Sequence, residues 1–439
     1  MKNFFGTDGI RGCVGTSPLT SEGLHRLGNA IALWAQKKYG RNPSFLLGHD
    51  TRVSCSFVKA ALKSGLLLHP IKVYDGDVLP SPAVVQLLNQ NSLFNAGIII
   101  SASHNPYYDN GIKLVDGSQG KISLDDEMLI TRYFYEYSKS VDYTSLGLDI
   151  VLQHAEKMYA EYCAKFFRPN FLEGKKIILD CANGAAYRIA PYLFRLFGAE
   201  VIVLFDQPNG FNINKHCGAV HPEVLQKLVV EHGADIGFAF DGDADRVVSV
   251  NRYGQLKNGD DILALLMQHP LYKQNDAIVG TSMTNHGFEM FLNKLQKKLI
   301  RTSVGDKYVA MAMVQHDVLL GGEPSGHIIA RDYLNTGDGI FIALRLLETI
   351  ILLNNWDMTT FAKFPQIIIN VPIEHKKDLS SEPLAQIICS NQQLLIEGRL
   401  VVRYSGTEHL LRIMIEDADY DHAQAIGNQL SKELLHLLR

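Results

Sequence analysis

Cysteine is scarce in this chain and nowhere paired. Six cysteines (Cys13, Cys55, Cys163, Cys181, Cys217 and Cys389) are scattered through 439 residues with no C-x-x-C spacing. That excludes a disulfide framework and a cysteine zinc site, and it fits the reduced thiols of a cytoplasmic protein. The opening Met1-Lys2-Asn3-Phe4-Phe5-Gly6 has no apolar core, so no secretory signal is expected. No hydrophobic run is long and uncharged enough to cross a membrane. The strongest, Ile340 to Leu353, contains Arg345 and Glu348 and reads as a core helix. Neither sign of charge dominates: the net charge is −4, so non-specific nucleic-acid binding is not expected and any anion must be met by local clusters. Low-complexity segments are absent as well. What remains is an ordinary globular composition, 46% hydrophobic and 20% charged, in a chain long enough for several domains.

Apolar runs alternate between two periods. Phe45 to Gly48, Ile71 to Tyr74, Ala96 to Ile100, Lys176 to Asp180, Glu200 to Leu204, Asp235 to Phe240, Ala277 to Gly280 and Val318 to Leu320 read as strands. Between them, helical spacing predicts helices from Ser21, over Val58 to Leu68, Ala83 to Asn89, Gln153 to Phe167, Ala190 to Phe197 and Val224 to His232. Such alternation predicts βαβ units, and the pattern restarts twice. The expected fold is therefore α/β: three similar units with mixed, largely parallel sheets. After Phe364-Pro365 the composition changes to strands at Ile367 to Val371, Gly398 to Tyr404 and Leu410 to Ile415, then a closing helix, a smaller α+β domain. The expected boundaries are 1–150, 151–252, 253–365 and 366–439.

Polar residues gather where these strands end. Ile100 runs directly into Ser101-Ala102-Ser103-His104-Asn105-Pro106, with Lys113 ten residues after Ser103. A hydroxyl close in sequence to two cations, His104 and Lys113, suits phosphate chemistry better than acyl transfer. Taken alone, the stretch reads more simply as a turn capped by serines. Asp241, Asp243 and Asp245 alternate, and in an extended loop that spacing points three carboxylates one way. Three such groups repel unless a divalent cation sits among them. An EF-hand is excluded, because the sixth position is Arg246 and the twelfth Arg252. Oxygen donors with nothing soft nearby favour Mg²⁺ over zinc. Glu323, Ser325 and His327, in a Gly-rich loop, offer groups suited to sugar hydroxyls, although a solvated loop would look the same. Arg403, Ser405, Gly406, Thr407 and Arg412 lie between two strands; they could grip one anion or form a plain hairpin turn.

In order, S-A-S-H-N-P, D-G-D-A-D-R, G-E-P-S-G-H and R-Y-S-G-T-E fall one per unit. With F-G-T-D-G-I-R-G at residues 5–12, D-C-A-N-G-A from Asp180 and P-N-G-F-N-I-N from Pro208, the chain resembles the α-D-phosphohexomutase superfamily over essentially its whole length. The resemblance implies a four-domain isomerase around a central cleft, whose domains carry in turn a phosphoserine, a metal site, a sugar site and a phosphate site. It implies phosphorylated Ser103, and Mg²⁺ held by Asp241, Asp243, Asp245 and that phosphate. Lys113 and Arg246 would supply further charge, with His104 and Arg11 nearby. His327 and Arg11 stand as candidates for the general base. Glu323, Ser325 and Lys307 would hold the sugar, and Arg403, Ser405, Gly406, Thr407 and Arg412 the phosphate that is not reacting. The reaction implied interconverts glucosamine 6-phosphate and glucosamine 1-phosphate through a bound 1,6-bisphosphate, with glucose 1,6-bisphosphate as activator, supplying UDP-N-acetylglucosamine for the cell wall. Two alternatives stay open: a phosphoglucomutase or phosphomannomutase, and a non-catalytic sugar-phosphate binder. The implied partner is a small sugar phosphate, with neither nucleic acid nor membrane, and a homodimer is compatible with it. Three positions depart from the pattern: Pro324 stands where glutamine is usual, Lys307 where arginine is, and His409 where proline is.

Overall fold

A computed structural model describes residues 3–6, 8–117, 120–137, 145–404 and 409–438. The first unit runs β1 (Ile10–Cys13), α1 (Ser21–Tyr39), β2 (Ser44–His49), α2 (Cys55–Leu66), β3 (Lys72–Val78), α3 (Ser81–Gln90), β4 (Ala96–Ile100), β5 (Asp109–Asp116), β6 (Gly120–Lys121), α4 (Leu124–Tyr135) and β7 (Leu148–Val151). Its sheet has the order β1-β5-β4-β2-β3-β7, with β6 on β5. Strands β4, β2, β3 and β7 are parallel, and β2 and β4 are buried along their whole length. That double-sided burial is why both read as continuous apolar runs. The end of the opening F-G-T-D-G-I-R-G motif enters β1, which pairs antiparallel with β5.

The second unit contains α5 (Ala155–Ala164), β8 (Lys176–Asp180), α6 (Ala186–Leu196), β9 (Glu200–Leu204), α7 (Glu223–Glu231), β10 (Ile236–Phe240), β11 (Val247–Asn251) and β12 (Leu256–Lys257). The third has α8 (Gly259–Leu266), β13 (Ala277–Thr281), α9 (His286–Lys294), β14 (Lys298–Thr302), α10 (Asp306–Gln315), β15 (Leu320–Gly322), β16 (Ile328–Ala330) and α11 (Gly339–Leu353). Their sheets run β12-β11-β10-β8-β9 and β14-β13-β15-β16. The layout repeats in all three units. A strand paired in parallel within the sheet (β4, β10, β15) is followed at once by an antiparallel return strand (β5, β11, β16). The polar loop lies at that reversal each time, so three reversals deliver three loops.

The fourth unit comprises β17 (Gln366–Pro372), α12 (Leu384–Leu394), β18 (Arg399–Tyr404), β19 (Leu410–Glu416) and α13 (Tyr420–Leu438), with an antiparallel sheet ordered β17-β19-β18. Its apolar core is separate. By contrast, one hydrophobic cluster runs from Leu79 and Val84 of the first unit through Phe194, Phe238 and Phe240 of the second to Phe288, Leu320 and Phe341 of the third. Helix α11, the core helix expected over Ile340 to Leu353, packs on β10, β11 and α6 of the second unit as well as on α8. Among the described residues no helix is long and apolar enough to cross a membrane.

Candidate active site

Three loops converge between the first three units. The 101–109 loop places Ser103 with φ +52°, a left-handed conformation that costs a non-glycine residue on the order of 1 kcal/mol. Ser103 is fully buried, and its Oγ donates to Asp241 Oδ2 at 2.5 Å and lies 3.5 Å from His104 Nδ1. The aspartate loop of the second unit reaches it because Gly242 has no side chain: a Cβ there would stand 2.6 Å from the Ser103 carbonyl oxygen.

Asp241, Asp243 and Asp245 do bring their carboxylates together, with ligand oxygens within 4.8 Å of one another. The route differs from the expected extended alternation. The loop is a turn, with Ala244 at φ +59°, and the reversal converges the three side chains. Asp243 Oδ1 and Asp245 Oδ1 are buried without a hydrogen-bond partner. Two unsatisfied carboxylate oxygens beside a third carboxylate, with no sulfur donor, fit a hard divalent cation of the Mg²⁺ type. The pKa values of the triad are pulled apart. Burial, then the charges of Asp245 and Asp243, push Asp241 well above the carboxylate range. Asp245 is held well below it, because Lys113, His327 and Arg246 outweigh its burial.

Lys113, on β5, is the central cation. Its Nζ meets Asp8 Oδ2 at 3.0 Å, Asp243 Oδ2 at 2.9 Å and Asp245 Oδ2 at 3.1 Å. Burial works against its charge, but these carboxylates raise its pKa well above the usual value. Arg11 Nη2 contacts Asp8 at 2.5 Å, and Arg246 Nε lies 3.8 Å from Asp245 Oδ1. His104 is not a cation at neutral pH. Burial, together with Arg246 and Arg11, lowers its pKa to about 4, so only one of the two expected neighbouring cations carries charge. His327 is buried between Asp245 and the 337 backbone. Its Nε2 accepts from Gly337 N at 3.2 Å, which assigns the proton to Nδ1, 3.6 Å from Asp245 Oδ1. Helix α11 fixes this wall: Gly339 N donates to Ala244 O at 3.0 Å, and Asp338, capping the helix, accepts from Tyr159 Oη.

A cleft of about 800 Å³ opens beside this cluster, with Asp8, Lys113, Lys121, Glu127, Asp245, Asp306, Lys307 and His327 on its walls. Glu323 is buried nearby and its Oε1 accepts from Gly305 N at 3.0 Å. Lys307 Nζ stands 3.7 Å from Glu127 Oε1, and Lys121 joins Asp8 to Asp306; both links cross between the first and third units. Ser325 is exposed at its loop tip and is not among the lining residues. Arg403 and Arg412 are direct cross-strand partners lining a different hollow of about 260 Å³ with Met283 and Asn370. Ser405, Gly406 and Thr407 lie outside the described residues.

Several contributors carry weak sequence signals. Asp8, Ser81, Lys121, Glu127 and Asp306 are single polar residues at element ends. Ser81 nonetheless donates its hydroxyl to Asp243 and its backbone N–H to the Asp243 carbonyl. His49-Asp50-Thr51-Arg52, a polar cluster directly after an apolar strand, is the pattern that could have drawn attention to Asp50 and Arg52.

Comparison with known proteins gives a consistent result. Residues 2–140, 157–254 and 258–360 match the descriptions "Phosphoglucomutase/phosphomannomutase, alpha/beta/alpha domain" I, II and III. Residues 368–433 match the corresponding C-terminal domain. The chain is 41% identical over 441 residues to the phosphoglucosamine mutase of Acinetobacter baylyi, covering 98% of this chain and 99% of that one. Among solved structures, a phosphoglucomutase/phosphomannomutase family protein from Burkholderia thailandensis superposes with a TM-score of 0.79 at 22% identity, covering 98% and 96% of the two chains. An Aspergillus fumigatus N-acetylphosphoglucosamine mutase, in complex with GlcNAc-6P and magnesium, gives 0.70 at 16% identity, covering 99% and 96%.

Proposed function

The chain belongs to the phosphoglucomutase/phosphomannomutase family of isomerases, and we propose that it interconverts glucosamine 6-phosphate and glucosamine 1-phosphate through a phosphorylated Ser103, supplying UDP-N-acetylglucosamine for the cell wall. The observation that carries the chemistry is the 2.5 Å contact of Ser103 Oγ with Asp241, beside two buried carboxylate oxygens that lack partners. The amino sugar is supported by the likeness to the Acinetobacter baylyi phosphoglucosamine mutase.

In the first half-reaction the bond from phosphorus to Ser103 Oγ breaks as a bond to the free sugar hydroxyl forms, and that hydroxyl's proton passes to a base; the candidates are Arg11 and, once its Nε2 gives up the Gly337 N–H, His327. The resulting 1,6-bisphosphate turns over in the cleft. Its other phosphoryl group returns to Ser103 Oγ, and the freed sugar oxygen takes up a proton. Such transfers depend on in-line positioning and on neutralising charge on the moving oxygens. Mg²⁺, held by Asp241, Asp243, Asp245 and the serine phosphate, would supply part of that charge. Lys113, Arg246 and Arg11 supply fixed positive charge on the other sides. His104 Nδ1 lies 3.5 Å from the serine oxygen. The Ser103 hydroxyl is buried, so exchange requires the cleft walls to part.

The four units then divide the work: residues 1–150 carry the serine, 151–252 the metal, 253–365 the sugar through Glu323, Ser325 and Lys307, and 366–439 the distal phosphate through Arg403, Ser405, Gly406, Thr407 and Arg412. Turnover should be compared on glucosamine, glucose and mannose 6-phosphates with Mg²⁺ and catalytic glucose 1,6-bisphosphate. The highest kcat/KM is expected for the amino sugar, and a preference for a neutral hexose would overturn that assignment. Intact mass should show a phosphate that Ser103→Ala lacks; an unmodified wild type after treatment with the bisphosphate would overturn the phosphoserine.

A further inference from the structure

Ser103 holds a backbone conformation that serine does not favour, so something must hold it there. Its backbone N–H donates to Ser101 Oγ at 2.9 Å. Its carbonyl accepts from Arg52 Nη2 at 2.9 Å and from Asn214 Nδ2 at 2.8 Å. Arg52 does more. Nη2 also reaches Asn105 O at 2.8 Å, while Nη1 donates to Pro106 O and, at 3.0 Å, to Asp109 O. One guanidinium therefore binds four carbonyls of the serine loop.

Both routes to Ser103 begin at one carboxylate. Asp50 Oδ2 accepts from Ser101 Oγ at 2.6 Å and from Arg52 Nε at 2.9 Å. Asp50 Oδ1 takes the backbone N–H of Arg52 at 3.0 Å and the thiol of Cys55 at 3.3 Å. The Asp50–Arg52 pair has no side-chain exposure on either partner. A buried ion pair on this scale is a costly way to secure stability alone. It is well suited to fixing a geometry, since only a forked, always-charged donor can serve several carbonyls at once. Neither side chain lines the cleft.

We propose that Asp50 and Arg52 are positioning residues for the phosphoryl-carrying serine, with Asn214 as their counterpart from the second unit. Rotation of the Ser103 backbone out of the left-handed region would break the Ser101 contact and the Arg52 contact together. Such a rotation would carry Oγ away from Asp241. Asn214 Nδ2, which reaches Asn105 O as well at 3.1 Å, ties the same carbonyls to the unit bearing the aspartates. The serine oxygen and the metal loop are thereby set against each other before any substrate arrives.

The inference rests on Ser103 being the group that carries the phosphoryl, and its test separates the two. Arg52→Lys keeps a charge against Asp50 but cannot span four carbonyls. Its kcat should fall by about 30-fold or more with KM within about threefold, since a small misplacement of a reacting atom costs rate rather than binding. Phosphorylation of Ser103 by glucose 1,6-bisphosphate, followed by intact mass in a single turnover, should slow by the same factor. Asn214→Ala should act in the same direction, and the double variant should lose less than the product of the two, because both hold the same carbonyls. If Ser103 takes up phosphate in the wild type but Arg52→Lys keeps a normal rate, the positioning role fails while the phosphoserine stands. It also fails if the loss in Arg52→Lys matches its unfolded fraction and disappears on cooling. If wild-type Ser103 takes up no phosphate, both fall.

Discussion

Individual charges in the core of this protein are set by neighbours more than by residue type. Asp241 and Asp245 lie four residues apart in one turn, with pKa values displaced in opposite directions. The difference is that Lys113 reaches Asp245 while Asp241 has only the Ser103 hydroxyl and the Arg246 backbone N–H. Asp243 supplies one oxygen to Lys113 and Ser81 and leaves the other without a partner. Asp243→Asn should therefore raise the Mg²⁺ concentration for half-maximal activity about tenfold or more, because an amide offers an oxygen dipole without charge. An unchanged midpoint would make the triad structural. A buried carboxyl outside the triad adds a pH dependence of its own to stability. Burial raises the Asp260 pKa to about 7, and Asn285 N donates to its Oδ2 at 2.9 Å. A raised value means the fold favours the protonated form. Its contribution is full below about 4, the unfolded value, and is lost as pH rises through about 7. Asp260→Asn removes that titration, so relative to wild type it should gain on the order of 1–2 kcal/mol between pH 5 and pH 8. Denaturant midpoints at the two pH values measure it, and a constant difference would refute it.

At the level of elements, the reversal between a parallel strand and its antiparallel return does the organising. Two such reversals approach closely at Gly242, where a Cβ would stand 2.6 Å from Ser103 O, 2.8 Å from Ile213 Cδ1 and 2.9 Å from Asn214 Nδ2. Gly242→Ala should wedge the serine and aspartate loops apart, cutting kcat about tenfold or more and costing about 1–3 kcal/mol of stability. Activity within twofold of wild type would show that the loops are not held in register. The parallel strands were legible because burial on both faces makes them continuous apolar runs. The return strands were not: β5 carries Asn110, Lys113 and Asp116, and β11 carries Ser249 and Asn251, all buried polar residues that break an apolar pattern. Likewise α4 begins at a capping box formed by Ser123 and Asp126, a local signal masked by the acidic run that follows. The aspartate spacing did indicate a cluster, but through extended geometry; the left-handed turn at Ala244 depends on its tertiary contacts and leaves no mark in the spacing. The lowered pKa of His104 comes first from its burial and then from Arg246 and Arg11, both far from it in sequence.

Across the whole molecule, one apolar cluster links three units, while the core of the fourth is separate and that unit meets the third through polar groups. Arg399 donates to Ser282 O and Thr284 O, each at 2.6 Å, and pairs with Glu416 at 2.5 Å; His286 N donates to Glu416 Oε1 at 3.3 Å. This seam sets where the sheet bearing Arg403 stands relative to the cleft. Arg403 and Arg412 lie directly opposite on β18 and β19, an arrangement of like charges that is unfavourable in itself. Burial, and then Arg412, lower the pKa of Arg403, so the folded state disfavours its charge. Two guanidinium groups lining one hollow fit a site for an anion. In the reaction proposed here the anion is the phosphate that does not react, and gripping it is binding energy used to align the phosphoryl group at Ser103. Arg403→Ala should accordingly separate stability from function. Its thermal midpoint should be no lower than wild type, because burial already disfavours the Arg403 charge. Its KM should rise about tenfold or more, kcat should fall as well, and the variant should depend more strongly on added glucose 1,6-bisphosphate, because an intermediate held at one end escapes before it turns over. Steady-state kinetics with and without the bisphosphate, alongside a thermal melt, test all four. Wild-type kinetics in both conditions would mean that the two arginines bind no phosphate, and a lowered midpoint would mean that their opposition is compensated within the fold.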